Sequence, residues 1–271
     1  MCAPGDSDTP LDPERGAHFV QSLARGLAVL RAFSAEDPEL SLSDVARRTG
    51  LTRAVARRFL LTLVDLGYVD VDGRTFSLRP RVLALGYAYL SGITLPEVAV
   101  PHLERLSDEV QESSSVAVLD DLDVVYVARV HTKRIMAVAI NVGTRFPAYA
   151  TSLGRVLMSG LSPAELDDHL DRVDLRPLTP RTVRTTEQLR AEVDRAREQG
   201  WCLVDQELEE GLASMAAPLR EPGGRVVAAV NVSTHATRRN PATLHASLAE
   251  PLLRAAGGIE AELRVLGTRR R

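Results

Sequence analysis

Apolar residues at Leu23, Leu27, Leu30 and Phe33 fall at helical spacing within Val20–Phe33 and predict an opening helix with a buried stripe. A turn rich in Pro and acid follows over Ala35–Glu39, after which Ser41 or Ser43 can cap a short helix through Arg48, with Leu42, Val45 and Ala46 inward. In Thr49-Gly50-Leu51 the glycine is placed for the left-handed conformation that ends a helix and turns the chain. Thr52 can cap a further helix to about Leu66, where Gly67 stops it. One face of that helix holds Val55, Phe59, Leu63 and Leu66; the other holds Arg53, Ala54, Arg57 and Arg58. Two alternating segments, Tyr68–Val71 and Thr75–Leu78, bracket Asp72-Gly73-Arg74, a strong hairpin signal.

Beyond Pro80 the pattern changes. Residues 80–90 read as an apolar helix with Val82, Leu83, Leu85 and Tyr89, broken by Ser91-Gly92, and Leu95–Gln111 reads as a second, with Val98, Leu103, Leu106 and Val110 inward. Ser114–Asp120 and Val124–Val130 predict a hairpin, Ile135–Asn141 a third strand and Gly143–Tyr149 a loop. Helices are expected from Thr151, from the Ser162-Pro163-Ala164-Glu165 capping box and over 186–200. Strands over Trp201–Gln206, Ala213–Leu219 and Val226–Ser233 and a last helix from Pro241 to about Leu266 complete the chain. The organisation expected is a tail over 1–18, a winged helix-turn-helix over 19–79, mostly α with a β-hairpin wing, a linker helix over 80–94 and an α+β domain over 95–267.

This arrangement carries a DNA reading. A short helix, a glycine turn, a second helix and a hairpin wing form a winged helix-turn-helix, whose second helix enters a major groove. Thr52, Arg53 and Ala54 at its start can reach base edges, Arg57 and Arg58 bases or phosphates, and Arg47, Arg48 and the wing-tip Arg74 the backbone. A solvated face of a helical hairpin is the alternative. From Arg15 to Arg81 eleven arginines face seven carboxylates, a local charge near +4 in a chain of net charge −3, which fits a basic reader joined to an acidic sensor. Lys133 is the single lysine beside 32 arginines, a bias that fits genome composition better than phosphate binding.

At 271 residues, with 45% hydrophobic and 25% charged side chains, the chain suits two soluble globular domains. No apolar run reaches membrane-spanning length and no secretory leader is evident, so the cytoplasm is the expected location. Two cysteines, Cys2 and Cys202, allow neither a disulfide framework nor a thiolate zinc site, and no cofactor or metal is expected. The six histidines lie in no triad or metal pattern, and no Gly-x-Ser-x-Gly elbow marks Ser152 or Ser214 as a nucleophile, which leaves a hydrolase as the weaker alternative to a regulator. Thr151 and Ser152 stand at a predicted helix start, where N–H groups and the positive dipole end attract a carboxylate; Arg145 or Arg155 can add a charged fork, and Tyr126 and Arg129 can line such a pocket. A plain N-cap is the competing explanation.

The helix-turn-helix with its wing, the run Gly143-Thr144-Arg145-Phe146-Pro147-Ala148-Tyr149-Ala150-Thr151-Ser152-Leu153-Gly154-Arg155, and the run from Asp205-Gln206-Glu207 to Ala217-Pro218 together resemble the IclR family of bacterial transcription regulators. The wording around Gly154-Arg155 and in the helix after Gly50 is similar to the Pca/Pob-type branch, which governs breakdown of protocatechuate, 4-hydroxybenzoate and related acids by the β-ketoadipate route. The resemblance covers Phe19 to Leu263 and implies a GAF-like effector domain, a homodimer or tetramer on palindromic double-stranded operators, and a small organic acid effector. It places that acid against Ile135, Val138, Thr151, Ser152, Leu153, Gly154, Asp205, Glu207, Ser214, Val230 and Val232, with Arg145 beside them. An effector-independent DNA binder is the other reading left open.

Overall fold

The computed structural model describes residues 18–34, 37–85, 95–132, 140–236 and 241–269. The tail expected over 1–18 falls outside the described residues except for His18, as do residues 86–94 of the linker helix and the strand residues Ile135 and Val138. The chain divides into two compact units, Met1–Gly92 and Ile93–Arg271.

In the first unit α1 (Gln21–Arg31), α2 (Leu42–Thr49) and α3 (Arg53–Asp65) pack around Val29, Phe33, Val45, Leu60 and Leu63. Local chemistry fixes the turn between α2 and α3. Ser41 and Asp44 form a reciprocal capping box at the start of α2, Gly50 ends it at φ +67°, and Thr52 caps α3 by accepting from the Val55 N–H. The wing is β2 (Val69–Asp72) against β3 (Thr75–Leu78), and β1 (Glu39–Ser41) pairs with the other edge of β3 to make a three-stranded sheet. The turn expected over Ala35–Glu39 thus gives way to a strand at its end.

Two inward faces differ from expectation. Leu23 and Leu27 of α1 are 63% and 49% exposed, and they line an apolar groove with Phe59, Leu66, Tyr68 and Leu85. On α3 the sealed positions are Ala56, Leu60 and Leu63, whereas Val55 and Phe59 are half-buried and Leu66 is exposed. The helix is apolar on adjoining flanks, so periodicity alone does not select which flank meets the core.

The second unit is a six-stranded antiparallel sheet between two helical layers. Its strands are β4 (Ser113–Asp120), β5 (Asp123–Val130), β6 (Arg145–Pro147), β7 (Cys202–Asp205), β8 (Leu212–Arg220) and β9 (Val226–His235), in the order β6-β5-β4-β9-β8-β7. The short β6 replaces the expected loop over 143–149 by pairing Arg145–Pro147 with Asp123–Val125. The helices are α4 (Leu95–Val110), α5 (Ser152–Ser159), α6 (Pro163–Arg172), α7 (Thr186–Gln199) and α8 (Pro241–Arg269). One sheet face packs Val116, Met215, Val230 and Val232 against α4 and α8; the other packs Ala117, Tyr126, Ala216 and Ala229 against α5 and α7. Both faces being covered, the strands are mostly small or apolar along their central stretches, with Tyr126, Arg129 and Asn231 among the exceptions.

Candidate DNA-reading surface and effector site

Arg53, Ala54, Arg57 and Arg58 are exposed along the outer side of α3, opposite Ala56 and Leu60. Three arginines and a small residue across two turns suit a helix that must approach base edges closely. Arg74 is exposed in the β2–β3 turn, where Gly73 takes φ +57°. Arg48 is engaged within the unit: its guanidinium bonds the Asp37 carboxylate at 2.5 Å and the Ala32 carbonyl at 3.0 Å, which ties α2 to the chain following α1. Arg47 is exposed but leans on Asp44 at 2.7 Å, and the Thr52 hydroxyl oxygen is occupied in capping.

In the second unit α5 starts as expected. Thr151 is its N-cap, with Oγ1 accepting from Gly154 N–H at 2.9 Å, and the N–H groups of Ser152 and Leu153 are left as first-turn donors. Gly154 lets the helix press onto the Ala148–Ala150 turn; a Cβ there would lie 2.1 Å from the Ala148 carbonyl oxygen. The Ser152 hydroxyl is buried and shares a 2.7 Å hydrogen bond with that of Ser214 on β8.

That bond sets the phase of the sheet. Successive strand side chains point to opposite faces, so the registers place rows of residues under α5. Arg129, Ser115, Asn231 and Ala216 stand opposite one another on β5, β4, β9 and β8; Ser113, Ser233 and Ser214 form the next row, and Tyr126, Ala117 and Ala229 the row on the other side. Val230 and Val232 therefore point to the α4/α8 core, away from Ser152, and the polar Asn231 and Ser233 between and beyond them face α5 instead. The alternation Val230-Asn231-Val232-Ser233 carried this signal in the sequence, but the apolar phase is the usual inward one.

Ser113, Ser115, Asn231 and Ser233 are each at most 3% exposed. Asn231 donates from Nδ2 to Ser233 Oγ at 3.1 Å, while its Oδ1 is buried without a partner. Such an orphan acceptor costs about 1–3 kcal/mol unless something supplies a donor. Arg129 is half-buried and donates from Nη1 to Ser115 Oγ at 3.0 Å and from Nε to His131 Nδ1 at 3.2 Å. Burial pushes its pKa down, and no carboxylate pairs with it among the described residues. Beside it, burial raises the Tyr126 hydroxyl to about 12, so the phenol stays neutral; its ring meets Phe146 edge-on at 5.9 Å.

The other charged candidates are committed elsewhere. Arg145 bonds Asp120 at 2.5 Å and Asp123 at 3.1 Å at the exposed end of the β4–β5 hairpin. Arg155 is 1% exposed and bonds Glu207 at 2.6 Å and the Tyr149 carbonyl at 3.2 Å; Glu207 also accepts from Val183 N–H at 3.1 Å. Asp205 pairs with Arg181. Neither arginine is thus the free fork expected at the start of α5, and Glu207 is spent on holding Arg155. Cys202 is buried, its thiol raised to about 12 by that burial, and is inert.

A basic winged helix and a separate three-layer domain with a buried polar patch define a one-component regulator, a DNA reader joined to a sensor. The family comparisons agree. Residues 22–73 match the IclR helix-turn-helix domain and residues 87–261 the bacterial transcriptional regulator IclR C-terminal domain, and the chain belongs to the IclR family. It is 47% identical over 221 residues to the Pca regulon regulatory protein of Pseudomonas putida, covering 81% of this chain and 76% of that one. It is 36% identical over 232 residues to the p-hydroxybenzoate hydroxylase transcriptional activator of Acinetobacter baylyi, covering 84% and 86%. An IclR homolog from Microbacterium hydrocarbonoxydans, solved in complex with 4-hydroxybenzoate, superposes with a TM-score of 0.79 at 27% identity, over 90% of this chain and 99% of that one. The chain is a DNA-binding transcription regulator. Among the described residues no helix is long and apolar enough to cross a membrane.

Proposed function

We propose that this regulator binds a palindromic operator as a cytoplasmic homodimer, or as a pair of dimers, and that an aromatic or β-ketoadipate-type acid seated under α5 controls that binding. One observation carries the effector reading: an otherwise apolar sheet face buries Ser113, Ser115, Asn231, Ser233 and Ser214 beneath Ser152, with an amide oxygen unpartnered. Buried polar groups are costly unless satisfied, and a polar ligand satisfies them. The relatives named for Pca and p-hydroxybenzoate regulation, and the homolog crystallised with 4-hydroxybenzoate, support the acid class. An acid that favours one state of the sensor shifts the populations that bind DNA.

Titrating 4-hydroxybenzoate, protocatechuate and β-ketoadipate into the protein–operator complex is expected to change operator affinity with at least one of them. Ser152→Val, which deletes the hydroxyl facing Ser214, is expected to abolish that response with DNA affinity intact. An unchanged response in Ser152→Val would move the effector elsewhere.

The apolar groove of Leu23, Leu27, Phe59, Leu66 and Leu85 supports the dimer, since exposed apolar patches of this kind mark interfaces. A second copy of the same groove is the self-complementary occupant that a two-fold reader of a palindrome needs. Sedimentation equilibrium is expected to return twice the 29.5 kDa chain mass, or four times it for a pair of dimers, and Leu27→Glu is expected to raise the dimer dissociation constant. A Leu27→Glu variant as dimeric as the parent would contradict this use of the groove.

A further inference from the structure

We infer that Arg129 is the residue that selects an acid effector by its charge, taking the carboxylate of a hydroxylated aromatic ring whose hydroxyl points toward Asn231. The inference rests on the effector site proposed above and goes beyond it in assigning the two ends of the ligand.

Three features of the sheet face point this way. The first is the charge. Eighteen ion pairs engage arginines or histidines across the described residues, yet Arg129 has only hydroxyl and imidazole partners, Ser115 and His131. A half-buried guanidinium whose pKa burial already lowers gains most from a carboxylate, and its planar fork matches one in two parallel bonds. The start of α5, the competing anion site, offers only partial charge and has already given its Gly154 N–H to Thr151.

The second is the acceptor. Asn231 stands in the same row as Arg129, with Ser115 between them on β4, and its Oδ1 is buried and unpartnered. A ring hydroxyl donates; Asn231 Oδ1 accepts. Arg129 is rooted two strands from Asn231, and its guanidinium reaches back to Ser115 on the strand between them at 3.0 Å, so the cation and the unpartnered acceptor border the same short row. The third is the floor. Ala216 ends this row on β8, and Ala117 and Ala229 flank it on one side with methyl groups, with the neutral Tyr126 ring beside them. Small side chains beside an aromatic ring leave a flat apolar surface, which an aromatic ligand covers better than a branched or sugar-like acid.

The test is calorimetry on the full-length chain with 4-hydroxybenzoate, its uncharged amide 4-hydroxybenzamide, and benzoate. The parent protein is expected to prefer the acid over the amide by at least about tenfold. Arg129→Gln is expected to weaken 4-hydroxybenzoate by roughly 10- to 100-fold, the range of a charged hydrogen-bond pair, and to leave the amide unchanged. Asn231→Leu is expected to erase the preference for 4-hydroxybenzoate over benzoate. Should Arg129→Gln lose its thermal unfolding transition, Arg129→Lys decides the matter, because it keeps the charge and must keep the acid-over-amide preference. Equal acid binding by the parent and Arg129→Gln overturns the assignment of Arg129 while the effector site stands. A parent protein that binds none of the three, and whose operator affinity no acid changes, overturns the site and this assignment together.

Discussion

Arg53→Ala and Arg57→Ala are each expected to weaken operator binding by roughly 1–3 kcal/mol, the range for an arginine that pairs with a guanine edge. Both side chains project from the exposed side of α3, one turn apart, and neither is held by a carboxylate among the described residues. Arg48→Ala is the informative contrast. Its guanidinium is tied to Asp37 and the Ala32 carbonyl, so its loss should lower the stability of the first unit and affect DNA binding only through that. Gel-shift or fluorescence anisotropy at fixed salt separates the two effects, since phosphate contacts are salt-dependent. Unchanged affinity in both Arg53→Ala and Arg57→Ala would place the reading surface elsewhere.

The largest effect on stability is expected at Glu207. Arg155 is almost wholly buried and its charge is balanced at 2.6 Å by Glu207, with Glu192 farther off at 3.9 Å. Removing one partner of a buried pair leaves an uncompensated charge, which costs about 3–5 kcal/mol. Glu207→Ala should therefore lower the unfolding free energy of the sensor unit, read from urea denaturation, by an amount in that range. Arg155→Met should be milder than Glu207→Ala, because the carboxylate it leaves behind is less buried than the guanidinium and keeps its bond from Val183 N–H. A Glu207→Ala protein within about 0.5 kcal/mol of the parent, the ordinary range for surface substitutions, would refute the structural role given to this pair. Glu207 also receives the Val183 N–H, so the same substitution loosens residues 179–183 against the loop after β7.

Much of this architecture was legible because its signals are local. The Ser41–Asp44 and Ser162–Glu165 boxes, the Thr52 and Thr151 caps, and Gly50 each act within four residues, and the helices start and stop where they direct. The Asp-Gly wing and the β4–β5 hairpin were readable for the same reason. What was hidden depends on partners far along the chain. β1 exists only because β3, more than thirty residues later, offers its free edge. The phase of β9 could not be chosen locally, since both faces of the sheet are covered and both Val230 and Asn231 are buried. For Arg145 and Arg155 the chemistry was right and the address wrong: each arginine is consumed by carboxylates brought from 22 to 52 residues away, Asp120, Asp123 and Glu207. Arg129, noticed in the sequence only as a pocket-lining residue, stands out once the registers put it in line with Asn231.

The DNA-reading role of α3 is decided by where that helix sits when the protein holds DNA. A photo-crosslinking residue placed at Ala54, on the exposed start of that helix, measures this directly on a duplex carrying the operator. Crosslinks to major-groove bases of each half-site, absent from a scrambled duplex, are expected. Crosslinks confined to protein, or evenly spread over both duplexes, would contradict that role.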